Sequence, residues 1–396
     1  MNREQHFSAG DPESTLVCGA SANTQLVSFP MASSDSELKA RAIIVMLATG
    51  KQGSAVVRAL AKANAAALAA SQPMPWFILA QTRNPPSGTP QPNTIFALPG
   101  VHGLKGDPTR PHALFEEENL PTDTPLPVYG VFSAQQSADN VKGVEGEVVE
   151  GKALADAARM YGIQHFVHSS VQFGSAKDRK SIVPHFESKR QIEEYIERTH
   201  PILPTTILRP VTFMDQLVIP ELAHAQDPSK PTSSIASRLT RLIFANQLKP
   251  STHQQFIAVS DIGVVAALTF AHPDMYLNPK REEDGSYLGA DGRFKEVDLA
   301  GDQLSPLELE TVWREVFTGN TQGFDEELRY RSFLLPLAAK LVGNGMKEVR
   351  LMFQWFNDSG FTTDIPALRA AYPGLKDFRT FLQQEVLLQA SDPENS

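Results

Sequence analysis

The side chain best suited to chemistry in this chain of 396 residues is Lys189, which ends the run His185-Phe-Glu-Ser-Lys189. Residues four apart lie on the same face of a helix, so His185 and Lys189 would point the same way. A histidine can move protons near neutral pH, but we favour the simpler interpretation that His185 only begins the helix. For Lys189, position alone leaves a solvated lysine and a functional lysine equally open.

A second chemical pattern is the pair Gly50 and Gly53, which follows an apolar run at residues 42–47. Apolar residues at helical spacing then begin at Val56. A strand, a glycine turn and a helix in this order allow backbone amides and a helix N-terminus to approach a phosphate group. An ordinary turn that requires glycine is the alternative, and the glycine pair alone does not separate the two.

Arg83 follows a second apolar strand, predicted at residues 76–80. In a doubly wound fold this position faces the adenosine ribose of a dinucleotide. An acidic residue there would bind the ribose hydroxyls of NAD, whereas an arginine suits the 2′-phosphate of NADP. The alternative is a surface arginine in the turn before Pro85 and Pro86. The position favours NADP.

Other polar residues exclude several classes of site. Ser169 and Ser170 end a predicted strand, where a serine can bind substrate, but no G-x-S-x-G sequence makes either one a nucleophile. The histidines do not fall at metal-ligand spacings with acidic residues. The single cysteine, Cys18, excludes an internal disulfide and a four-cysteine zinc site. We therefore predict no metal site and a reducing, cytoplasmic or nuclear setting.

The composition is that of a soluble globular protein, with 41% hydrophobic and 20% charged residues. A net charge of −9 argues against a broad basic surface, so we predict no direct binding to nucleic acid. No apolar run approaches the length of a membrane-spanning helix, so we predict no association with a membrane.

The elements that must position these residues alternate between strands and helices. The predicted strands lie at residues 42–47, 76–80, 101–107, 128–133, 164–170 and 205–210. Helices are predicted at residues 146–161 and 186–198, with a short one between 108 and 127. The first of these would bury one apolar stripe, made of Val148, Val149, Ala153, Leu154, Ala157 and Met160. This alternation predicts a Rossmann-type doubly wound parallel sheet, an α/β fold with both faces covered.

The later third of the chain has the pattern of a smaller, mostly helical portion. A strand near residue 256 leads into a helix for which Asp261 is the predicted N-cap. Ser305 predicts another helix start, with a proline next and Glu308 completing a capping box. Further helices are predicted at residues 328–341, 346–356 and 375–388.

Four regions follow from these patterns. Residues 1–40 lack periodicity and are rich in small polar residues, which predicts a disordered N-terminal tail. Residues 41–255 would form the NAD(P)-binding Rossmann-type domain. Residues 256–388 would form a smaller portion that binds a substrate or partner and is interleaved with the first, and residues 389–396 a second tail.

Several short motifs in one order make the chain resemble the NmrA-like family, an atypical branch of the short-chain dehydrogenase/reductase superfamily. The resemblance covers residues 41–388, and it rests on these segments: Ala48-Thr-Gly-Lys-Gln-Gly53, Thr82-Arg-Asn-Pro85, Gly106-Asp107, Gly151-Lys-Ala-Leu-Ala-Asp-Ala-Ala158, His168-Ser-Ser170, His185-Phe-Glu-Ser-Lys189, Leu208-Arg-Pro-Val-Thr-Phe-Met214, Val259-Ser-Asp-Ile-Gly263 and Leu299-Ala-Gly-Asp302.

The resemblance implies that particular residues bind a nicotinamide dinucleotide, NADP in preference to NAD. Those that would hold the pyrophosphate are Thr49, Gly50, Gln52 and Gly53. Those that would meet the 2′-phosphate, the adenine and the nicotinamide ribose are, in that order, Arg83, Asp107 and Lys189.

The resemblance also implies two kinds of function. Some members bind NAD(P) and regulate transcription or sense redox state through partner proteins, and others reduce small aromatic substrates. The related enzymes use a tyrosine four residues before the lysine as the acid, and here that position is His185. We therefore predict a cofactor-sensing regulator or redox sensor with weak or no turnover and a protein partner such as a transcription regulator. The alternatives are an NADPH-dependent oxidoreductase of a small carbonyl or enone, with Lys189 tentatively catalytic, and a non-catalytic scaffold.

Leu47 departs from the family pattern, because it stands where the loop has its first glycine. That glycine permits a tight turn at the strand end, and a leucine crowds the loop and penalises a positive φ. We expect dinucleotide binding that is weakened by this residue.

Overall fold

The protein is seen in a computed structural model that describes residues 40–92, 94–135, 143–175, 179–218, 247–277, 294–319 and 345–387. The predicted tails, apart from residue 40, and the helix predicted at residues 328–341 lie outside this part of the chain. None of the helices described is both long enough and apolar enough to cross a membrane.

The strands of the described chain are β1 Arg41–Val45, β2 Trp76–Thr82, β3 Val101–Lys105, β4 Gly130–Ser133, β5 His165–Ser169, β6 Thr205–Pro210, β7 Thr212–Phe213, β8 Gln254–Ile257, β9 Phe294–Leu299 and β10 Asp302–Leu304. Seven of them form one parallel sheet in the order β3-β2-β1-β4-β5-β6-β9. A small second sheet has the order β10-β8-β7. The predicted Rossmann-type doubly wound fold is confirmed.

The helices of the same residues are α1 Lys51–Ala69, α2 Gly143–Met160, α3 Pro184–Thr199, α4 Val259–Ala271, α5 Pro273–Tyr276, α6 Pro306–Thr318, α7 Gly345–Asp358, α8 Ile365–Ala371 and α9 Phe378–Phe381. Successive side chains of β1 point to opposite faces of the sheet. Ile43 and Val45 pack with apolar residues of α1 and α4. Ala42 and Ile44 pack with those of α2 and α3. The unbroken apolar run in the first strand therefore serves both faces.

The direction of the chain across the sheet fixes where a ligand can bind. From β1 the chain moves outward through β2 and β3, and then returns to place β4 on the other side of β1. The turns after β1 and β4 therefore diverge at the carboxyl edge of the sheet. Such a reversal opens a crevice in which doubly wound folds bind their ligands.

The apolar stripe predicted for α2 is correct for Leu154 and Ala157, which are buried, and wrong for Val149 and Met160. Val149 and Met160 are 60% and 73% exposed, whereas Gly146, Glu147 and Gly151 lie on the buried face. Small residues face inward because α3 approaches closely, and a Cβ on Gly151 would lie 2.5 Å from a side-chain carbon of Ile192. Apolar spacing alone did not reveal that this helix packs through glycine and alanine.

Two further local predictions need correction, and one is confirmed. The helix that contains Asp261 begins earlier, with Ala258 at its N-cap, and the Asp261 carboxylate accepts hydrogen bonds from Lys376 instead. Residues 108–127 form two short 3-10 turns rather than one helix. The capping box of Ser305 and Glu308 is present as predicted.

Candidate functional site

The glycine turn, residues 47–53, leaves its backbone open at the carboxyl edge of the sheet. Helix α1 begins at Lys51, and its N-cap Gly50 (φ −81°, ψ 170°) has no hydrogen bond from a side chain of the described residues. The first amides of a helix have no partner within the helix and attract anions. Thr49 and Gly50 are exposed. The turn therefore offers uncapped amides to an anion.

Close packing explains the second glycine of the turn. A Cβ on Gly53 would lie 2.2 Å from the carbonyl oxygen of Leu47, so any other residue would push α1 away from β1. At Gly50 the same oxygen would be 3.2 Å away, which is tight as well. These residues fit the close backbone approach that a dinucleotide pyrophosphate requires.

Leu47 adopts the left-handed conformation that a glycine would adopt without strain, with φ 49°. Its carbonyl accepts a hydrogen bond of 2.8 Å from the Gly50 amide, so the tight turn still forms. Its own amide donates to Oε1 of Gln81 at 2.9 Å. For a residue with a Cβ, this conformation costs about 1 kcal/mol or more.

Arg83 follows β2, which pairs with β1, and Asp107 follows β3, which pairs with β2, so both lie at the same edge of the sheet; both are exposed. The Asp107 carboxylate accepts a hydrogen bond of 2.9 Å from the Thr109 amide. That bond, with the charges of Arg110 and Arg83, lowers the pKa of Asp107. The strands thus bring the predicted pyrophosphate, 2′-phosphate and adenine residues to one edge.

Lys189 is held by an internal ion pair. Its Nζ lies 2.8 Å from Oε1 of Glu147, whose side chain is 1% exposed. The other carboxylate oxygen of Glu147 accepts a hydrogen bond of 2.6 Å from Ser188. Lys189 also donates to the backbone carbonyl of Gln135, at 3.4 Å. The ammonium group therefore has protein partners on α2 and at the end of β4.

His185 is tied to the C-terminal part of the chain. Its Nδ1 lies 2.8 Å from Oε1 of Glu348 on α7. The next residue, Phe186, is buried and packs edge-on against Trp355 of the same helix. The position that the related enzymes give to the catalytic tyrosine thus holds α3 and α7 together.

His168, to which the sequence patterns assigned no role, is a buried histidine near Lys189. His168 is 0% exposed, and its Nδ1 is 3.2 Å from the hydroxyl of Ser133, which also accepts a hydrogen bond from Gln135. Its Nε2 has no partner within the described chain. Burial, helped by the charge of Lys189, moves the pKa of His168 well below its usual value, so the ring is neutral.

The two serines predicted at the strand edge differ. Ser169 donates a hydrogen bond of 2.6 Å to Oε1 of Gln52, which joins the end of β5 to the glycine turn. Ser170 follows it directly and is buried. The fold therefore brings a residue predicted to bind substrate into contact with one predicted to bind the pyrophosphate.

The sequence profile of the NmrA-like family matches residues 39–288, more than half of the chain. The chain belongs to the NmrA-like family. Solved structures agree with this NmrA-like assignment at the level of the fold. NmrA, a negative transcriptional regulator solved in complex with NADP, is 16% identical, and the match covers 90% of this chain and 98% of that chain with a TM-score of 0.53.

Two other NmrA-type structures are enzymes by description. The Citrobacter sp. triphenylmethane reductase complexed with NADP(H) is 19% identical, with coverage of 88% and 100% and a TM-score of 0.55. A nucleoside-diphosphate-sugar epimerase from Staphylococcus aureus is 13% identical, with coverage of 87% and 100% and a TM-score of 0.55. At these identities the likeness shows the fold alone, and the fold hosts both kinds of function.

Lys51 and Asp215 of this NmrA-like protein are two charged residues that influence each other's pKa, and the sequence patterns did not point to either. Burial raises the pKa of Asp215 to about 6, although its carboxylate accepts a hydrogen bond from the Val259 amide. Burial also lowers the pKa of Lys51, an effect that the Asp215 charge opposes. No sequence signal relates them, because they lie in distant segments of the chain.

A charge cluster that begins one helical turn beyond Lys189 has Glu193 buried and Glu296 exposed. Glu193, Glu197 and Glu296 have carboxylate oxygens within 4.8 Å of one another, a spacing that could hold a metal ion. Arg209 contacts Glu193 at 2.7 Å and Glu296 at 2.6 Å, and Arg179 contacts Glu193 at 2.7 Å. Because Arg179 and Arg209 already form ion pairs with these carboxylates, we interpret the cluster as a structural network.

Proposed function

We propose that this protein binds NADP(H) at the glycine turn and acts as a cofactor-sensing regulator with little or no turnover of its own. The family, and relatives that were solved with NADP or NAD, support a nicotinamide dinucleotide as the ligand. Gly50 and Gly53 would hold the pyrophosphate together with Thr49 and Gln52. Bound NADPH would be able to supply a hydride. The residues of this chain would bind and orient the cofactor.

The preference for NADP rests on the adenosine side of the crevice. Arg83 is exposed just beyond β2 and would pair with the 2′-phosphate. Asp107 is held by the Thr109 amide at the end of the next strand and would lie near the adenine. The charge of Arg83 already acts on Asp107, which is consistent with both residues lining one binding surface.

The ion pair between Lys189 and Glu147 is the observation that carries the proposal of weak turnover. An ammonium group held at 2.8 Å by a buried carboxylate is fixed in place, which suits a ribose anchor better than a proton donor. The tyrosine that usually serves as the acid is absent as well, because its position holds His185. The ring of His185 is engaged by Glu348. Binding of the cofactor would therefore act through a partner protein, such as a transcription regulator, and the cofactor would not be consumed.

An NADPH-dependent oxidoreductase is the second candidate function. The observation that favours it is the hydrogen-bonded series from Lys189 through Gln135 and Ser133 to His168. The neutral His168 has a free Nε2 among the described residues and could hold a proton for a carbonyl or enone substrate. Lys189 would then act as proton donor or as ribose anchor.

Calorimetric titration of the full chain with NADP, NADPH and NAD tests the proposal. We expect saturable binding of NADP and NADPH that is tighter than binding of NAD, and no measurable NADPH oxidation with a panel of carbonyls and enones. No binding at millimolar concentration would leave the interaction scaffold as the function. Steady turnover that is lost in Lys189→Ala would establish the oxidoreductase instead.

A further inference from the structure

Gln81 joins the turns on the adenosine side of the crevice from a buried position at the end of β2. The residue is 1% exposed. Its Oε1 accepts the Leu47 amide at 2.9 Å, and its Nε2 donates to the Gly106 carbonyl at 2.8 Å. Its own carbonyl accepts the Ala48 amide at 3.0 Å. One residue thus contacts the turns after β1 and β3 while belonging to the strand before Arg83.

The chemistry of these contacts requires a primary amide. The Leu47 amide is a donor that has left the strand ladder, because Leu47 turns into the left-handed conformation. The Gly106 carbonyl is an acceptor. A side chain that satisfies both must present an acceptor on one side and a donor on the other, which glutamine does and glutamate or leucine does not. Buried backbone groups left without such partners are costly.

The turn at Gly106 leaves no space for an alternative arrangement. A Cβ at Gly106 would lie 2.1 Å from a methyl carbon of Leu114 and 3.8 Å from Cγ of Gln81. The Gly106 amide also donates to the carbonyl of Thr82, at 3.1 Å, so this turn is fixed to β2 on both its polar groups. Gln81 therefore sets the distance between the glycine turn and Asp107.

We propose that Gln81 is a positioning residue for dinucleotide binding: it holds the glycine turn and the Gly106-Asp107 turn in the register that the adenosine half of the ligand needs. It also satisfies the amide of Leu47, the residue at which this chain departs from the family's glycine. This inference rests on the proposed function, since it assigns the residue a role in the same site.

The chain offers a matched control for substitution of Gln81. Gln255 is also a buried glutamine, 2% exposed, whose side chain donates to the Thr363 carbonyl at 2.9 Å and accepts the Thr363 amide at 3.0 Å. It belongs to the small second sheet, and its side-chain hydrogen bonds within the described residues are to Gln303 and Thr363, not to the glycine turn or the Gly106-Asp107 turn. Gln81→Leu and Gln255→Leu thus remove comparable hydrogen bonds from the two regions.

The test is calorimetric titration of the full chain and its variants with NADP and with adenosine 2′,5′-bisphosphate, alongside thermal unfolding. We expect Gln81→Leu to weaken both ligands by about tenfold and by a similar factor, because both would place a phosphate at the glycine turn and the adenine near the Gly106-Asp107 turn, the two turns that Gln81 holds. Gln255→Leu should lower the unfolding temperature by a similar amount and leave both affinities within about twofold, as expected for a site that is not coupled to it.

Several outcomes would overturn the proposal. The first is a folded Gln81→Leu variant that binds adenosine 2′,5′-bisphosphate with wild-type affinity. The second is a loss of affinity for NADP alone, since such a loss places the effect at the nicotinamide half of the ligand. If Gln81→Leu does not fold, Gln81→Glu carries the test, because it keeps the acceptor for Leu47 and removes the donor to Gly106; unchanged affinities there would refute the role. If the wild-type protein binds neither ligand, the proposed function fails and this inference with it.

Discussion

The glycine turn and the Lys189 cluster, which comprises Lys189, Glu147, Ser188 and Gln135, meet at the same sheet edge but use their polar groups differently. In the glycine turn, α1 starts without a side-chain cap and Thr49 is exposed. In the Lys189 cluster, the ammonium group and the carboxylate satisfy each other inside the protein. One region keeps groups open for a ligand and the other has paired them internally, which is the arrangement expected of binding without turnover.

The largest expected effect comes from breaking the ion pair of the Lys189 cluster. Glu147→Ala leaves a buried ammonium group without its partner and should lower the free energy of unfolding by about 3 kcal/mol, measured by chemical denaturation. The double variant Glu147→Leu with Lys189→Met should recover most of that loss, because an apolar pair needs no desolvation of charge.

The exposed pair of Lys249 and Asp358 serves as the control for that experiment. Its side chains are 61% and 56% exposed, so Asp358→Ala should cost less than about 1 kcal/mol. If Glu147→Ala were as mild, Lys189 would be free to act on a ligand, and the contrast between the two regions would disappear.

Arg83→Glu should have the next largest effect, on ligand choice in the open region. A carboxylate facing the 2′-phosphate replaces attraction by repulsion, so NADP should bind about 100-fold more weakly while NAD changes only a few-fold. Arg58→Glu makes the same change of charge at an exposed position on α1 and should alter both affinities little. Equal losses of NADP and NAD in Arg83→Glu would remove the phosphate role, whichever nucleotide the protein prefers.

The pH dependence of stability should reveal the buried histidine beside the Lys189 cluster. His168 has a lowered pKa in the folded state, so below a pH of about 6.5 the unfolded state binds more protons and stability falls as the pH falls. His165, whose pKa burial lowers to about 3, acts in the same direction. Each contributes up to about 1.4 kcal/mol per pH unit.

His168→Gln should therefore reduce the slope of unfolding free energy between about pH 6.5 and 5.5 by roughly 1 kcal/mol per pH unit. Denaturation curves collected at several pH values measure it. An unaltered slope in His168→Gln would mean that burial does not lower the pKa of this histidine in the folded protein.

The smallest expected effect concerns Leu47 in the glycine turn. With φ 49°, a glycine is unstrained and an alanine keeps the penalty of a Cβ. Leu47→Gly should therefore unfold with a free energy about 1 kcal/mol higher than that of Leu47→Ala. Titration with NADP should rank the two variants in the same order. The reverse order of stabilities would show that position 47 is not held in the left-handed conformation.

Local patterns predicted much of the fold and the open half of the site. The apolar run before Gly50 predicted a strand buried on both faces, and the strand at Thr205–Pro210 has the bounds that its residues suggested. The glycine pair predicted a helix start with free amides. The capping box at Ser305 followed from three residue types at fixed spacing. Each of these signals is local, since neighbours in the chain cause the structure.

Local residue patterns are enough to predict the doubly wound sheet, the glycine turn, the family and the departure at Leu47. The tertiary structure alone decided how the polar groups are used. The partners Glu147 and Lys189, Gln81 and Gly106, and His185 and Glu348 are distant in sequence. Periodicity reports which face of an element is apolar, but the pairing of buried polar groups depends on which distant element packs against that face, and no local pattern encodes it.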